Sequence, residues 1–181
     1  MRLRLAPLIV LLIVLVAIDI ALRAFSAVSP TQPTPSPPAT FAPETTIQPQ
    51  TIEIAYQCYE RGVMIWRSDS GTIYVLDGLT GGRVFIFAGG TYADLPEAAG
   101  TPPSATLLLP QAGFGKVWAN DLTVRSALGW AIEAERAYDS LITPYSNRIV
   151  IGVPGSTVEI NYLGGYYRVL TPGNALDCSR P

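Results

Sequence analysis

The stretch from Cys58 to Leu76, CYERGVMIWRSDSGTIYVL, narrows the possible folds more than any other. Two apolar runs, Val63-Met64-Ile65-Trp66 and Ile73-Tyr74-Val75-Leu76, flank the polar segment Ser68-Asp69-Ser70-Gly71. Short runs of β-branched and aromatic residues on either side of a Gly-closed turn read as a β-hairpin. Ahead of it, Thr51 to Tyr56 alternates apolar and polar residues, as a half-buried strand does. After it, Asp77 to Gly82 (DGLTGG) reads as a turn and Arg83 to Phe87 as a further strand. An antiparallel meander is expected here.

A weaker copy lies near the C-terminus. Arg148 to Ile151, a turn over Gly152 to Ser156, Thr157 to Tyr162 and Tyr166 to Leu170 form a second meander. Laid over the first, Tyr145 matches Tyr59, Ile149-Val150-Ile151 matches Val63-Met64-Ile65, and Gly164-Gly165 matches Gly81-Gly82, which suggests a degenerate repeat. Between the copies, Gly89 to Gln111 is irregular, with Leu107-Leu108-Leu109 as the cluster that docks it to the core. Gly113 to Trp118 (GFGKVW) lacks the GxxxxGK[ST] spacing of a phosphate loop and reads as a tight turn that buries Phe114 and Trp118. Asn120 or Asp121 caps a short helix that Gly129 ends, with Leu122, Val124 and Leu128 as its apolar side. Trp130 to Tyr138 (WAIEAERAY) has high helix propensity.

Met1 to Arg23 places Arg2 and Arg4 ahead of an apolar run over 5–22, interrupted by Pro7 and Asp19. As a helix that run is about 27 Å long, close to the hydrocarbon thickness of a bilayer. Residues 1–4 are then cytoplasmic, 5–22 form a transmembrane signal anchor, and the remainder lies outside. A cleaved signal peptide is the alternative, since Ala24-Phe25-Ser26 offers small residues for a peptidase, and the product is then secreted. Residues 23–50, dominated by Pro, Thr, Ser, Ala and Gln, read as an extended linker. The exported domain is 51–181. Beyond residue 28 the chain carries 9 basic and 13 acidic side chains, a balance that argues against nucleic acid as a partner. Cys58 and Cys178 bracket the domain, and an even cysteine count in an exported chain reads as a disulfide.

Cys58-Tyr59-Glu60-Arg61-Gly62-Val63-Met64-Ile65-Trp66-Arg67, the IYVL at Ile73 to Leu76, GFGKVW, and Leu128-Gly129-Trp130-Ala131 with Glu135 together resemble a module of exported bacterial proteins, often placed after a Pro/Thr-rich stalk. More distantly, the pattern is similar to LGFP repeats, with Ala131 where those have proline and Gly152 where the second copy needs its tryptophan. The resemblance implies a non-catalytic, wall-associated unit with a propeller-like arrangement of small β elements. It also implies an ordered turn over Trp130 to Glu135 in place of a helix.

The expected fold class is therefore mainly β: two small antiparallel meanders joined by a short helix-containing segment, behind a transmembrane helix and a Pro-rich linker. The chain has no histidine, which removes Ser-His-Asp, Cys-His and most metal sites, so neither a catalytic nor a metal-binding set is expected, and no cofactor. Glu133 and Glu135 read as an exposed charged face. The expected function is binding of cell-wall glycan or another envelope component, with Tyr166, Tyr167 and Trp130 as candidate ligand contacts; neighbours on a strand face opposite ways, so one of the two tyrosines is expected outside. A scaffolding subunit that recognises another exported protein through exposed sheet edges is the alternative.

Overall fold

A computed structural model describes residues 48–171 and 175–178. The expected anchor over 5–22 and most of the expected linker over 23–50 lie outside the described residues, and no described helix is long and apolar enough to cross a membrane.

The elements in chain order are β1 (Gln50–Cys58), β2 (Gly62–Arg67), β3 (Ile73–Asp77), β4 (Gly81–Phe87), α1 (Ala112–Asn120), α2 (Leu122–Leu128), β5 (Arg136–Pro144), β6 (Arg148–Val153), β7 (Ser156–Asn161) and β8 (Tyr166–Thr171). The strands close into an antiparallel barrel in the order β1-β2-β3-β4-β8-β7-β6-β5. Each half therefore has four strands, β5 adding one to the three read for the second meander, and the two halves join where β4 meets β8 and β5 meets β1. The expected hairpin is present, with Trp66 opposite Ile73 and Val63 opposite Leu76. In the second half β6 takes the position of β2 and β8 that of β4, as the repeat alignment placed them. One closed sheet replaces the propeller-like arrangement that the resemblance implied.

Closure explains the burial pattern strand by strand. The barrel interior is filled by side chains, among them Ile54, Tyr56, Ile65, Tyr74, Ile151 and Tyr167. On β6, Ile149, Ile151 and Val153 are buried while Arg148, Val150 and Gly152 are only partly so, the period-2 pattern of a strand with one covered face. On β2, Gly62 through Ile65 are all buried. The reason is a second core outside the barrel, where Ala55, Met64 and Val75 pack against Phe114, Val117, Trp118 and Leu128 of the helical segment. Uninterrupted apolar runs such as Val63 to Trp66 mark strands covered on both faces.

Two local expectations are corrected, and a third segment follows the reading that set its helix propensity aside. GFGKVW lies within α1 and is not a tight turn, although Phe114 and Trp118 are buried as expected. Asp121 caps α2 by accepting from the Thr123 and Val124 N–H groups and Gly129 ends it at φ 73°, but Leu122 is 72% exposed and only Val124 and Leu128 turn inward. Trp130 to Glu135 is non-helical, as expected against its propensity: Ala131 bridges Tyr59 and Leu108, and β5 begins at Arg136. Bridges on both sides of Ala131 override the helix propensity of the segment.

The C-terminal segment closes one end of the barrel. Leu176 enters the interior core, its N–H donates to the Leu79 carbonyl at 2.7 Å, and Cys178 is disulfide-bonded to Cys58 at the end of β1, with Cα atoms 5.7 Å apart.

Candidate functional site

Because the interior is occupied, room for a ligand lies on the outside, where the helical segment crosses β1 to β3. Helix α1 carries Phe114, Val117 and Trp118 at helical spacing on its buried face. Its glycines let it approach closely: a Cβ at Gly113 would sit 3.0 Å from the Tyr92 ring, and one at Gly115 2.5 Å from the Pro110 carbonyl oxygen. The long connection after β4 is pinned to the same helix. Lys116 donates to the Ala93 carbonyl at 2.6 Å and faces Glu97 at 3.5 Å, while Asn120 donates to the Pro96 carbonyl at 2.9 Å. The lysine of the GxGK string is thus a clamp on this connection.

Two clefts open between these elements. One, of about 300 Å³, is lined by Trp66, Ile73, Tyr92, Phe114 and the backbone of Ala112 and Gly113, with Glu135 at its edge. The other, of about 550 Å³, runs over Gln57 between Leu107-Leu108-Leu109, Gln111 and Ala134, and it also reaches Ala112 and Glu135. Both volumes fall within the range of small-molecule sites. Ala112 and Glu135 belong to both clefts, so the two meet there.

Polar side chains at this junction are few: Gln57, Gln111 and Glu135, with the Tyr59 hydroxyl behind Gln57. Gln57 is buried; its amide donates to the Glu133 carbonyl at 3.1 Å and accepts from the Tyr59 hydroxyl at 2.9 Å. Burial pushes the Tyr59 hydroxyl well above its ordinary pKa, and the nearby Glu135 carboxylate adds to the rise. Burial also raises Tyr92, whose hydroxyl donates to the Gly71 carbonyl. Glu135 itself is raised by partial desolvation, although its side chain reaches solvent. The two carboxylates read together in the sequence part company here: Glu133 pairs with Arg136 at 2.9 Å, while no described base pairs with Glu135.

The raised carboxyl has a stability consequence. Below the unfolded-state pKa both states hold the proton and nothing is lost; as pH rises through the higher folded value, the fold pays for an unsolvated charge. Glu135→Gln is therefore expected to match the wild type in urea unfolding at pH 3 and to exceed it at pH 7, by less than about 1 kcal/mol because the group is partly solvated. A Gln variant that is the less stable at pH 7 would show that the carboxylate is held by a favourable contact.

The residues singled out beforehand do not assemble into one site. Tyr166 is 46% exposed on β8 and Tyr167 is 2% exposed inside the barrel, so one of the pair does face outward. Trp130 is half-buried, its ring 4.8 Å from that of Trp118 and its backbone N–H donating to the Glu60 carboxylate at 2.9 Å. Sequence reasoning passed over Tyr92, Gln57 and Leu107 to Leu109 as site residues. The one usable signal was the length of the connection after β4, since long ordered loops in small domains tend to be functional.

Fold and clefts define a class: a closed, disulfide-strapped antiparallel barrel with a helical layer that walls an external, mostly apolar site. No family model, curated protein or solved structure matches the chain.

Proposed function

We propose that the chain is a membrane-tethered, non-enzymatic module that binds a component of the cell envelope in the cleft between α1 and the β1–β3 face. The observation that carries this reading is the meeting of the two apolar clefts at Ala112 and Glu135, with aromatic walls from Trp66, Tyr92 and Phe114. Large apolar clefts with a few fixed polar groups are the usual form of a binding site. Catalysis by a carboxylate pair is disfavoured, since Glu135 is the sole ionisable carboxylate lining the clefts and Glu133 is engaged by Arg136. Placement outside the membrane rests on the charge-flanked apolar run at the N-terminus, and the disulfide is consistent with it. Recognition of a partner through sheet edges is less favoured than before, because the sheet closes on itself.

The test is native mass spectrometry of the purified full chain after incubation with separated envelope fractions, alongside sedimentation with insoluble wall glycan. Ala134 is exposed at the rim of the larger cleft, so Ala134→Trp fills the site without disturbing a core. A retained adduct or saturable pelleting, reduced at least about tenfold by Ala134→Trp, is expected, since blocking a site removes more than 1.4 kcal/mol of binding. Binding that Ala134→Trp leaves intact places the site elsewhere, with exposed Tyr166 the next candidate.

A further inference from the structure

We infer that the cleft selects ligands carrying a protonated amine on an apolar body, with Glu135 as the ionic contact and Trp66 and Phe114 as walls. This rests on the cleft being the binding site and adds the chemistry of what enters it.

Charge complementarity is the argument. Of the side chains that line the two clefts, Glu135 alone is ionisable near neutral pH and charged; the others are apolar, amide or phenolic. An anionic ligand would meet this carboxylate with no base beside it to compensate, and no described Lys or Arg lines either cleft. A neutral apolar ligand would strip water from the carboxylate and leave it unpaired, which is costly. A cation restores what is lost on desolvation and can be shared with the face of Trp66, since indole faces attract ammonium groups. Of the two amides that line the larger cleft, Gln57 is held by Tyr59 and by the Glu133 carbonyl, and Gln111 is an exposed neutral group that offers an ammonium no charge. The approximately 300 Å³ of the Trp66 cleft leaves room for a ring or short chain beside the charge. The partial desolvation that raises the Glu135 carboxyl is the same property that strengthens a salt bridge to an incoming amine.

The test uses the full chain in lipid nanodiscs and fluorine NMR with three probes of one shape: 4-fluorophenethylamine, 4-fluorophenethyl alcohol and 3-(4-fluorophenyl)propanoate. The expected result is saturable binding of the amine, about tenfold tighter than the alcohol, with the propanoate weakest. Glu135→Gln, isosteric and at a partly exposed position, should bring the amine and the alcohol to the same affinity, weakening the amine without weakening the alcohol. Equal binding of amine and alcohol to the wild type overturns the inference. So does an amine preference that survives Glu135→Gln, because the charge would then be read elsewhere. Failure of all three probes overturns it too, and the cleft reading is then decided separately by the envelope adduct and its loss in Ala134→Trp, which require no amine.

Discussion

Loss of the Cys58–Cys178 disulfide is expected to lower the unfolding free energy by about 5 kcal/mol, the chain-entropy value for a loop this long. The bridge spans 120 residues and ties the last described segment to the end of β1, so its removal frees nearly the whole domain in the unfolded state. Against the roughly 5–15 kcal/mol that holds a typical domain together, the loss is large. A second effect adds to it. With the tether gone, the 2.7 Å hydrogen bond to Leu79 and the burial of the Leu176 side chain have to hold this segment in the barrel end without a covalent link. Urea unfolding of the oxidised protein, the reduced protein and Cys58→Ala/Cys178→Ala separates the terms. The reduced protein reports the tether, and any further loss in the double variant reports packing, since Cys58 is fully buried. A reduced protein within about 1 kcal/mol of the oxidised one would sink the prediction, and would mean that the denatured chain is already compact enough to make the constraint idle.

The disulfide was readable from two cysteines that bracket the domain of a chain expected to be exported, and most strands from their apolar runs. What was not readable shares a physical cause. β5 was missed because its pattern runs against the rule: Ser140 is buried and Leu141 is 59% exposed, while the preceding AIEAERA is rich in helix formers. The buried serine is satisfied by donating to the Gly152 carbonyl at 2.7 Å on β6, a partner that no local pattern announces. Barrel closure was hidden for a similar reason, since β1 pairs with β5 across a connection of some eighty residues and nothing in either strand specifies the other. The α1 helix was masked by Gly113 and Gly115, which lower propensity and are there for close approach to Tyr92 and Pro110. The cleft is a product of all three misses. It lies where β1, the start of β5 and the start of α1 meet, so its residues come together only once the closed topology is known. Trp66 could be picked out as an aromatic in the sequence; that it faces Tyr92 and Phe114 across a gap could not.

Trp118→Ala is expected to cost about 3–5 kcal/mol, the range for truncating a large buried aromatic. Trp118 is 2% exposed in the outer core, packs at a tilt of 51° against Trp130, and donates from its indole nitrogen to the Gly129 carbonyl at 2.6 Å, which joins α1 to the end of α2. Truncation leaves both a cavity and an unpaired carbonyl. Trp118→Phe keeps most of the packing and loses the hydrogen bond, so it should cost about 1–3 kcal/mol and report the bond alone. The form of the transition matters as much as its size. Met64 and Val75 belong to the outer core while Val63, Ile65 and Leu76 on the same two strands belong to the interior. Strands shared in this way cannot expose one core without weakening the other, so Trp118→Ala should still unfold in a single transition with an unchanged dependence on urea. A biphasic curve would show that the helical layer leaves the barrel by itself. Since α1 forms one wall of both clefts, ligand access would then be set by that detachment and not by the cleft seen in the folded state.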